Sequence, residues 1–289
     1  MTIFLIFLCI FTASIQSVLR KQYNQRAGED TAGSMFNAAQ SLTALCFFVV
    51  SALAGGMHFP ADPALYAYSI GFAAAYGTAV LFSFLALAVG PFGLTSLISS
   101  YSLVLPTLYG LIFLGESLHA VTLAGLGCLF VSLWLMRADK SEGERKINLR
   151  WIVYVLLSFA GNGFCSIIQK AQQNAFDGAY KNEFMIAALA LVTAGLFIAA
   201  LVSDRSKFSS FLRQGAIYAL LCGAANGATN LLVMVITATV AASIFFPVIS
   251  AGQIITAFAF SLLLYKEKLS KRQHAGAALG IAALVLLNQ

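Results

Sequence analysis

The chain has 289 residues, of which 60% are apolar and only 10% are charged. A water-soluble domain carries roughly 25% charged residues, so this composition excludes a soluble enzyme domain, a nucleic-acid module and a secreted disulfide scaffold. The formal net charge is +6, and its basic residues lie mainly between apolar runs, which indicates orientation in a lipid bilayer and no nucleic-acid partner.

Apolar segments follow one another along the whole chain, and a membrane-spanning helix needs about 20 mostly apolar residues. The first segment lacks the basic region and cleavage site of a signal peptide, so we expect it to remain as a membrane helix. The sequence therefore predicts an all-α, multi-pass protein of the cell membrane with ten transmembrane helices. The predicted spans are 2–20, 34–55, 65–88, 92–115, 118–137, 151–170, 182–203, 213–236, 239–265 and 272–288.

The longest polar stretch, residues 138–150, divides the chain near its middle and is predicted to be a charged connecting loop. It leaves five predicted spans in residues 1–137 and five in residues 151–289. Short motifs recur in the same order in both halves. The equivalent pairs are Lys21 and Lys170, Gly77 and Gly227, Glu116 and Glu267, and Gly125 and Gly276, at offsets of 149, 150, 151 and 151 residues.

The recurrence predicts two five-helix repeats of opposite orientation, because an odd number of spans inverts the second copy. Inverted repeats are typical of secondary transporters, which alternate between two open states around a central binding site. The chain contains no Gly-x-x-x-x-Gly-Lys loop for ATP. We therefore expect transport without ATP, and we expect no cofactor, no metal and no catalytic residue.

Two stretches with similar ends connect the chain to a known family. The first stretch lies in span four and runs from Pro106 to the tripeptide Leu114–Glu116. The second lies in span nine and runs from Pro247 to a second glutamate, Glu267. With ten spans in two halves, this pattern resembles the ten-helix, EamA-like branch of the drug/metabolite transporter superfamily. The resemblance implies a carrier of small metabolites, with export of an amino-acid-like solute as the first hypothesis. The alternatives are uptake of a neutral solute or sugar and, third, a lipid-modifying membrane enzyme.

The distribution of basic residues and the family resemblance predict opposite orientations of the chain in the membrane. Fifteen of the 17 basic residues follow odd-numbered spans, and the positive-inside rule then places both termini outside the cell. The family resemblance implies termini inside. Both orientations stay open at this point.

The polar residues inside the spans are neutral, since the carboxylates and histidines lie near span ends. A central carboxylate is the usual proton relay of a membrane pump, so we expect no such relay. Neutral polar side chains must face the bundle interior, either as hydrogen bonds between helices, which is the favoured interpretation for each alone, or as a substrate cavity. The cavity candidates are Gln16, Asn37, Gln40, Tyr76, Ser99, Tyr101, Asn162, Asn226, Asn230, Ser250 and Gln253.

A few further residues have two interpretations each. We expect Lys21 and Lys170 to reach the lipid headgroups, and alternatively to line opposite mouths of a transport pathway. Pro106 and Pro247 are candidate hinges or packing kinks. Glu116 and Glu267 are expected to cap the connection to the next helix, and alternatively to pair with basic residues as gates.

Overall fold

The computed structural model describes residues 2–28, 31–56, 58–89, 98, 101–116, 120–136, 148–264, 272, 275–276, 278–280 and 282–283. Across these residues the fold is helical and no β-strand occurs. The tenth predicted span, 272–288, lies largely outside the described residues. The same holds for the predicted connecting loop at 138–150, apart from its last three residues.

The helices follow most of the predicted spans. Two 3-10 turns, Tyr101–Leu103 and Arg205–Lys207, precede the short helices α4 and α8. The α-helices are α1 (Thr2–Ala27), α2 (Gly33–Gly55), α3 (Pro63–Val89), α4 (Val104–Phe113), α5 (Ala120–Met136), α6 (Leu149–Ala175), α7 (Lys181–Ser203), α8 (Phe208–Gln214), α9 (Ala216–Thr237) and α10 (Ala242–Leu264).

Six of the described helices are long and apolar enough to cross a membrane. They are α1, α2, residues Pro63–Ser83 of α3, α6, α7 and α9. Each has at least 21 residues, which at about 1.5 Å per residue matches the roughly 30 Å hydrocarbon core. The protein is therefore a multi-span membrane protein.

Helices α1 and α6 continue beyond the predicted ends of spans one and six, to Ala27 and Ala175. The prediction ended both spans at basic residues because cations at a span end usually reach the headgroups. In the structure, Arg20 and Lys170 instead lie inside these helices, one half-buried and the other buried. The helix continues because other helices, and not lipid, surround the positions that carry the charge.

The described chain forms two compact units, and each combines segments from both halves of the sequence. Unit 1 comprises Met1–Gly77 and Ile168–Ala238, and unit 2 comprises Thr78–Ile167 and Thr239–Gln289. In unit 1, α2 packs between α7 and α9, and α1 packs against α9. In unit 2, α10 packs against α4 and α5.

Carboxylates bond both ends of the α2–α7 pair in unit 1. The side chain of Asp204, at the end of α7, accepts hydrogen bonds from the backbone N–H groups of Ser34 and Met35, at 2.7 and 3.0 Å, in the first turn of α2. At the other end, Glu183 in the first turn of α7 accepts a bond of 3.1 Å from the N–H of His58, just after α2. The start of each helix thus lies beside the end of the other, and α2 and α7 run antiparallel.

Two glycines allow α9 to lie directly on α2. A β-carbon built at Gly223 would lie 2.5 Å from both the Gln40 carbonyl oxygen and the Thr43 β-carbon. A β-carbon at Gly227 would lie 2.7 Å from the Phe47 ring. This small-xxx-small pair therefore brings the two helices into backbone contact, as such pairs do in membrane proteins.

In unit 2 a single carboxylate caps α10. The two oxygens of Glu116 accept bonds of 2.8 Å from the backbone N–H groups of Ala242 and Ser243. Glu116 was expected to cap the connection to the next helix, but it caps a helix that begins 126 residues later in the chain. Its predicted equivalent, Glu267, lies outside the described residues. A negative charge here compensates the unpaired N–H groups and the positive end of the helix dipole.

The two prolines differ in position. Pro247 lies inside α10, where it removes one helical hydrogen bond and so remains a hinge candidate. Pro106 lies in the first turn of α4, after a 3-10 turn. Since the first-turn N–H groups of a helix have no partner within it, this proline removes no bond from α4. Most of the predicted span before residue 101 lies outside the described residues, so the interpretation of Pro106 as a hinge or a packing kink stays a prediction.

Candidate functional site

Asn226 and Asn230 lie on one face of α9, close to the middle of the helix. The Asn230 side-chain amide donates to both the backbone oxygen and the side-chain oxygen of Asn226, at 2.9 and 3.2 Å. The four-residue spacing predicted a shared face, and the structure brings the two carboxamides into direct contact. Both side chains are half-buried.

Gln16 on α1 connects to this pair. Its side-chain oxygen accepts a 3.0 Å bond from the Asn226 amide, and its own amide donates to the Thr229 hydroxyl at 3.0 Å. The Thr229 hydroxyl also lies 2.9 Å from that of Thr12. Two predicted cavity residues on different helices are therefore joined, and α1 is bonded to α9 along the same face.

Gln169 on α6 extends the contacts to a third helix. Its amide donates to the Asn230 side-chain oxygen at 2.9 Å and faces the sulfur of Met185 at 3.9 Å. The side chain is 4% exposed. We refer to the connected side chains as the α9 network, which consists of Thr12, Gln16, Gln169, Asn226, Thr229 and Asn230.

The sequence patterns did not predict Gln169, Thr12 or Thr229 as site residues. A signal for Gln169 was present, since it precedes Lys170 in the repeated motif and lies 149 residues after Arg20. The threonines carried no such signal, because a hydroxyl in a membrane helix commonly bonds its own backbone.

A cationic group lies beside the network in unit 1. The Arg20 guanidinium donates a 2.7 Å bond to the side-chain oxygen of Gln40, which also accepts from the Cys222 thiol at 3.2 Å. The guanidinium carbon lies 5.7 Å from the centre of the Phe36 ring. Gln40 was a predicted site residue, whereas Arg20 was assigned to a loop; it lies in α1, one turn after Gln16.

Lys170 does not reach the lipid headgroups. Its side chain is 6% exposed, and its amine donates a 2.7 Å bond to the carbonyl of Thr237, the last residue of α9. A cation at the carboxyl end of a helix is favoured by the free carbonyls and the helix dipole. The favoured expectation for this lysine is therefore wrong. The side chain of its equivalent, Lys21, lies outside the described residues.

Two further candidates lie in unit 1. Asn37 is half-buried on α2, one turn before Gln40. The ring of Tyr76 stacks on that of Phe72 with centroids 5.9 Å apart.

Four described cavity candidates belong to unit 2. The Tyr101 hydroxyl donates to the carbonyl of Phe130 at 3.4 Å, and the Asn162 amide bonds a carbonyl of its own helix at 3.1 Å. Ser250 is buried and Gln253 is half-buried, both on α10. Ser99 lies outside the described residues.

The side chains of the α9 network are uncharged and suit hydrogen bonding to a polar solute. Carboxamides supply both donors and acceptors, and hydroxyls can rotate between the two roles. The described residues hold no group of three or more His, Cys, Asp or Glu side chains that could bind a metal ion. The chemistry at this position is hydrogen bonding by neutral groups, with one guanidinium at the edge.

Comparison with known proteins assigns the second half of the chain to a family. One solved structure, described only as the crystal structure of a protein, superposes with a TM-score of 0.77 over 99% of this chain and 98% of that chain, at 14% identity. No curated protein matches the sequence. Residues 149–289 match the model of the EamA-like transporter family. The predicted resemblance to this family, which is part of the drug/metabolite transporter superfamily, is therefore confirmed over residues 149–289.

Proposed function

We propose that the protein is a secondary transporter of the cell membrane that moves a small polar metabolite by alternating access, without ATP. The α9 network is the observation that most directly supports this proposal, because it places neutral hydrogen-bonding groups at the middle of a spanning helix in a family of transporters. Carriers bind their solutes at this depth. An amino-acid-like solute, moved outward, is the first candidate.

Equivalent contacts in the two units support the inverted repeat that alternating access requires. In unit 1 the Cys9 thiol faces the carbonyl of Thr229 at 4.0 Å. In unit 2 the Ser158 hydroxyl bonds the carbonyl of Ala79 at 3.3 Å. Cys9 and Ser158 are 149 residues apart, and Ala79 and Thr229 are 150 apart. The first helix of each half thus contacts the third helix of the other half at equivalent positions.

The α2–α7 pair supports the opposite orientation of the two repeats. Both helices have 23 residues and occupy equivalent places in the two halves. They run antiparallel, as their carboxylate contacts require. Equivalent helices of opposite direction belong to repeats that enter the membrane from opposite sides. The proposal accordingly includes ten spans in two inverted five-helix repeats.

A second candidate is uptake of a neutral solute such as a sugar. The uncharged carboxamides of the α9 network favour it, since hydroxyl groups pair with amides without requiring a charge.

Flux measurements on the reconstituted full-length chain test both candidates. Proteoliposomes would be preloaded with unlabelled amino acids or sugars, the labelled solute would be added outside, and its uptake by exchange would be followed over time. We expect saturable exchange of at least one solute, and an excess of the same unlabelled solute added outside should inhibit it. Absence of saturable exchange across both panels would contradict the proposed function.

A further inference from the structure

Arg20 is a charged side chain in the interior of unit 1 whose described contacts are all with uncharged groups. Gln40 accepts one of its hydrogen bonds, and Phe36 lies against the guanidinium. Among the described residues, no carboxylate lies within ion-pair distance of it. A charged group within a membrane bundle is costly unless it is paired, and such groups generally serve function.

The surrounding side chains hold the guanidinium in place. Phe36 stacks on Tyr23 with ring centroids 4.9 Å apart, and the Tyr23 hydroxyl accepts the N–H of Ala32 at 2.9 Å. Gln40 is 1% exposed and holds the side chain from α2. The aromatic ring and the amide thus fix the orientation of Arg20 and do not neutralise it.

A guanidinium has five N–H donors. In the described structure that of Arg20 bonds the Gln40 side chain and also interacts with the Cys222 thiol. The planar donor fork matches the two oxygens of a carboxylate, which it binds through two parallel bonds. Arg20 therefore retains the donors needed for a small organic anion.

The α9 network begins one helical turn away. Gln16 precedes Arg20 by four residues on α1, and Cys222 bonds both the Gln40 side chain and the backbone oxygen of Gln16. Cys222 and Asn230, at the far end of the network, are about 12 Å apart along α9, at 1.5 Å per residue. A solute with a carboxylate at Arg20 could place its uncharged part along these amides.

The two halves differ at this position. The repeat-equivalent of Arg20 is Gln169, and each contacts the equivalent residue of the following helix, Phe36 or Met185, 149 residues apart. The fold therefore accepts a neutral glutamine in this place. Packing alone does not require the charge at position 20.

We infer that Arg20 binds the carboxylate of the transported solute, and that the solutes are small carboxylate-bearing metabolites. This inference rests on the proposed function. The phosphate of a phospholipid is also an oxyanion that a guanidinium binds. The experiment therefore tests a carboxylate solute and a phospholipid separately.

Binding is measured on the purified full-length protein in a neutral detergent, from the rise in melting temperature with ligand concentration. The probes are pyruvate and pyruvamide, L-alanine and L-alaninamide, and N-acetyl-L-alanine and its amide. We expect at least one carboxylate to bind about tenfold more tightly than its amide. Arg20→Gln should reduce this preference to less than about twofold, and Arg20→Lys, which retains the charge without the fork, should leave an intermediate preference.

Arg26→Gln is the matched control, because Arg26 is an exposed arginine on the same helix. It should retain the full preference. If Arg20→Gln does not fold, the comparison of Arg20→Lys with Arg26→Gln decides, and equal preferences in these two variants would overturn the inference.

Further outcomes separate the sources and the proposals. No preference for any carboxylate in the wild-type protein, or an undiminished preference in Arg20→Gln, overturns the inference. Stabilisation by added phosphatidylglycerol that depends on Arg20, without any effect of the solutes, also overturns it in favour of a lipid. Saturable flux of neutral solutes without a carboxylate preference leaves the proposed function standing and the inference wrong. An Arg20-dependent preference without flux supports the inference and contradicts the function.

Discussion

Asn226 is the residue on which the α9 network most depends, because it bonds side chains on both sides. It donates to Gln16 on α1 and accepts from Asn230 on its own helix. Gln169 on α6 reaches it through Asn230. The three helices are therefore linked through one carboxamide at mid-helix, and removing that group separates the network into two parts.

Asn226→Leu should lower transport far more than stability. The substitution keeps a similar volume and removes the bonds that connect α1 with Asn230. A single interhelical hydrogen bond in a membrane contributes about 0.6 kcal/mol, so we expect a small decrease in melting temperature. Saturable flux in proteoliposomes should fall about tenfold or more if the carboxamide contacts the solute.

Asn182→Leu is the matched control for Asn226. Asn182 is a half-buried carboxamide on α7 that also makes an interhelical bond, accepting from the Ser51 hydroxyl at 3.2 Å outside the network. It should show a similar small loss of stability and near-normal flux. Equal flux in the two variants would mean that Asn226 only holds helices together.

Single residues could be predicted where type and spacing together limited the possibilities. Gln16, Asn226 and Asn230 were identified because an amide in an apolar span must find a partner in the bundle interior. Arg20 and Gln169 were not identified, because a basic or polar residue at a span end normally reaches water. The sequence alone does not show which helices enclose such a residue. The pairing of Gln16 with Asn226 depends on which helices meet, which one sequence does not specify.

Two helix starts in this protein, those of α2 and α10, are capped by carboxylates from distant parts of the chain. Asp204 caps α2, and Glu116 caps α10. Neither helix has a side-chain bond from its own residue at the N-cap position in the described structure. Such caps satisfy N–H groups and at the same time fix which helix ends lie together, so their removal should affect packing as well as helix stability.

Glu116→Ala should lower the melting temperature of the purified protein. The substitution leaves the N–H groups of Ala242 and Ser243 without their carboxylate and removes a charge from the start of α10. Loss of an N-cap costs about 1 kcal/mol, and the dipole contribution adds to it. Glu116→Gln should destabilise the protein less, since one oxygen remains to accept.

Asp62→Ala is the control, because it removes an exposed capping bond of 2.8 Å from Ala64. It should lower the melting temperature less than Glu116→Ala does, and the reverse order would contradict this interpretation.

Gly223→Ala should destabilise the contact between α2 and α9. The new methyl group would lie 2.5 Å from the Gln40 carbonyl oxygen, and overpacking of this kind costs about 1–3 kcal/mol. This exceeds the 0.5–1 kcal/mol that alanine gains over glycine within a helix, as a rough average. The displaced Gln40 should also weaken its bond to Arg20. Thermal unfolding and carboxylate binding would both be measured.

Gly195→Ala on α7 is the control for that prediction. A β-carbon there meets no atom within 4 Å, so the substitution should be neutral or slightly stabilising. If both alanine substitutions changed the stability equally, the close approach of α9 to α2 would not be the cause of the destabilisation.

The course of the helices was largely predictable and their ends were not. Apolar length predicted α2 and α7 to within about two residues, because both are bounded by polar or glycine-containing segments. The predicted spans for α1 and α6 were ended at basic residues, several residues before the helices end in the structure. Hydropathy measures how well a residue suits lipid, and it fails where a charged side chain faces another helix.

The proposed equivalence of the two halves predicts where the ends of their helices lie in the membrane. Residues that follow α2 and α7 would occupy equivalent places in the proposed repeats, yet the two helices run antiparallel within unit 1. If both cross the membrane, His58 and Ser206 must lie on opposite sides. The positive-inside rule then places Ser206, which lies between Arg205 and Lys207, in the cytoplasm, and His58 outside.

Labelling of introduced cysteines tests this arrangement. His58→Cys and Ser206→Cys would be made separately after replacement of the five native cysteines, and both positions are exposed in the structure. In intact cells a membrane-impermeant maleimide should label residue 58 at once and residue 206 only after permeabilisation. The reverse pattern would keep the inverted repeats and overturn the charge-based orientation, in agreement with termini inside. Labelling of both residues from the same side would contradict the inverted repeats themselves, since antiparallel spanning helices cannot end on one surface.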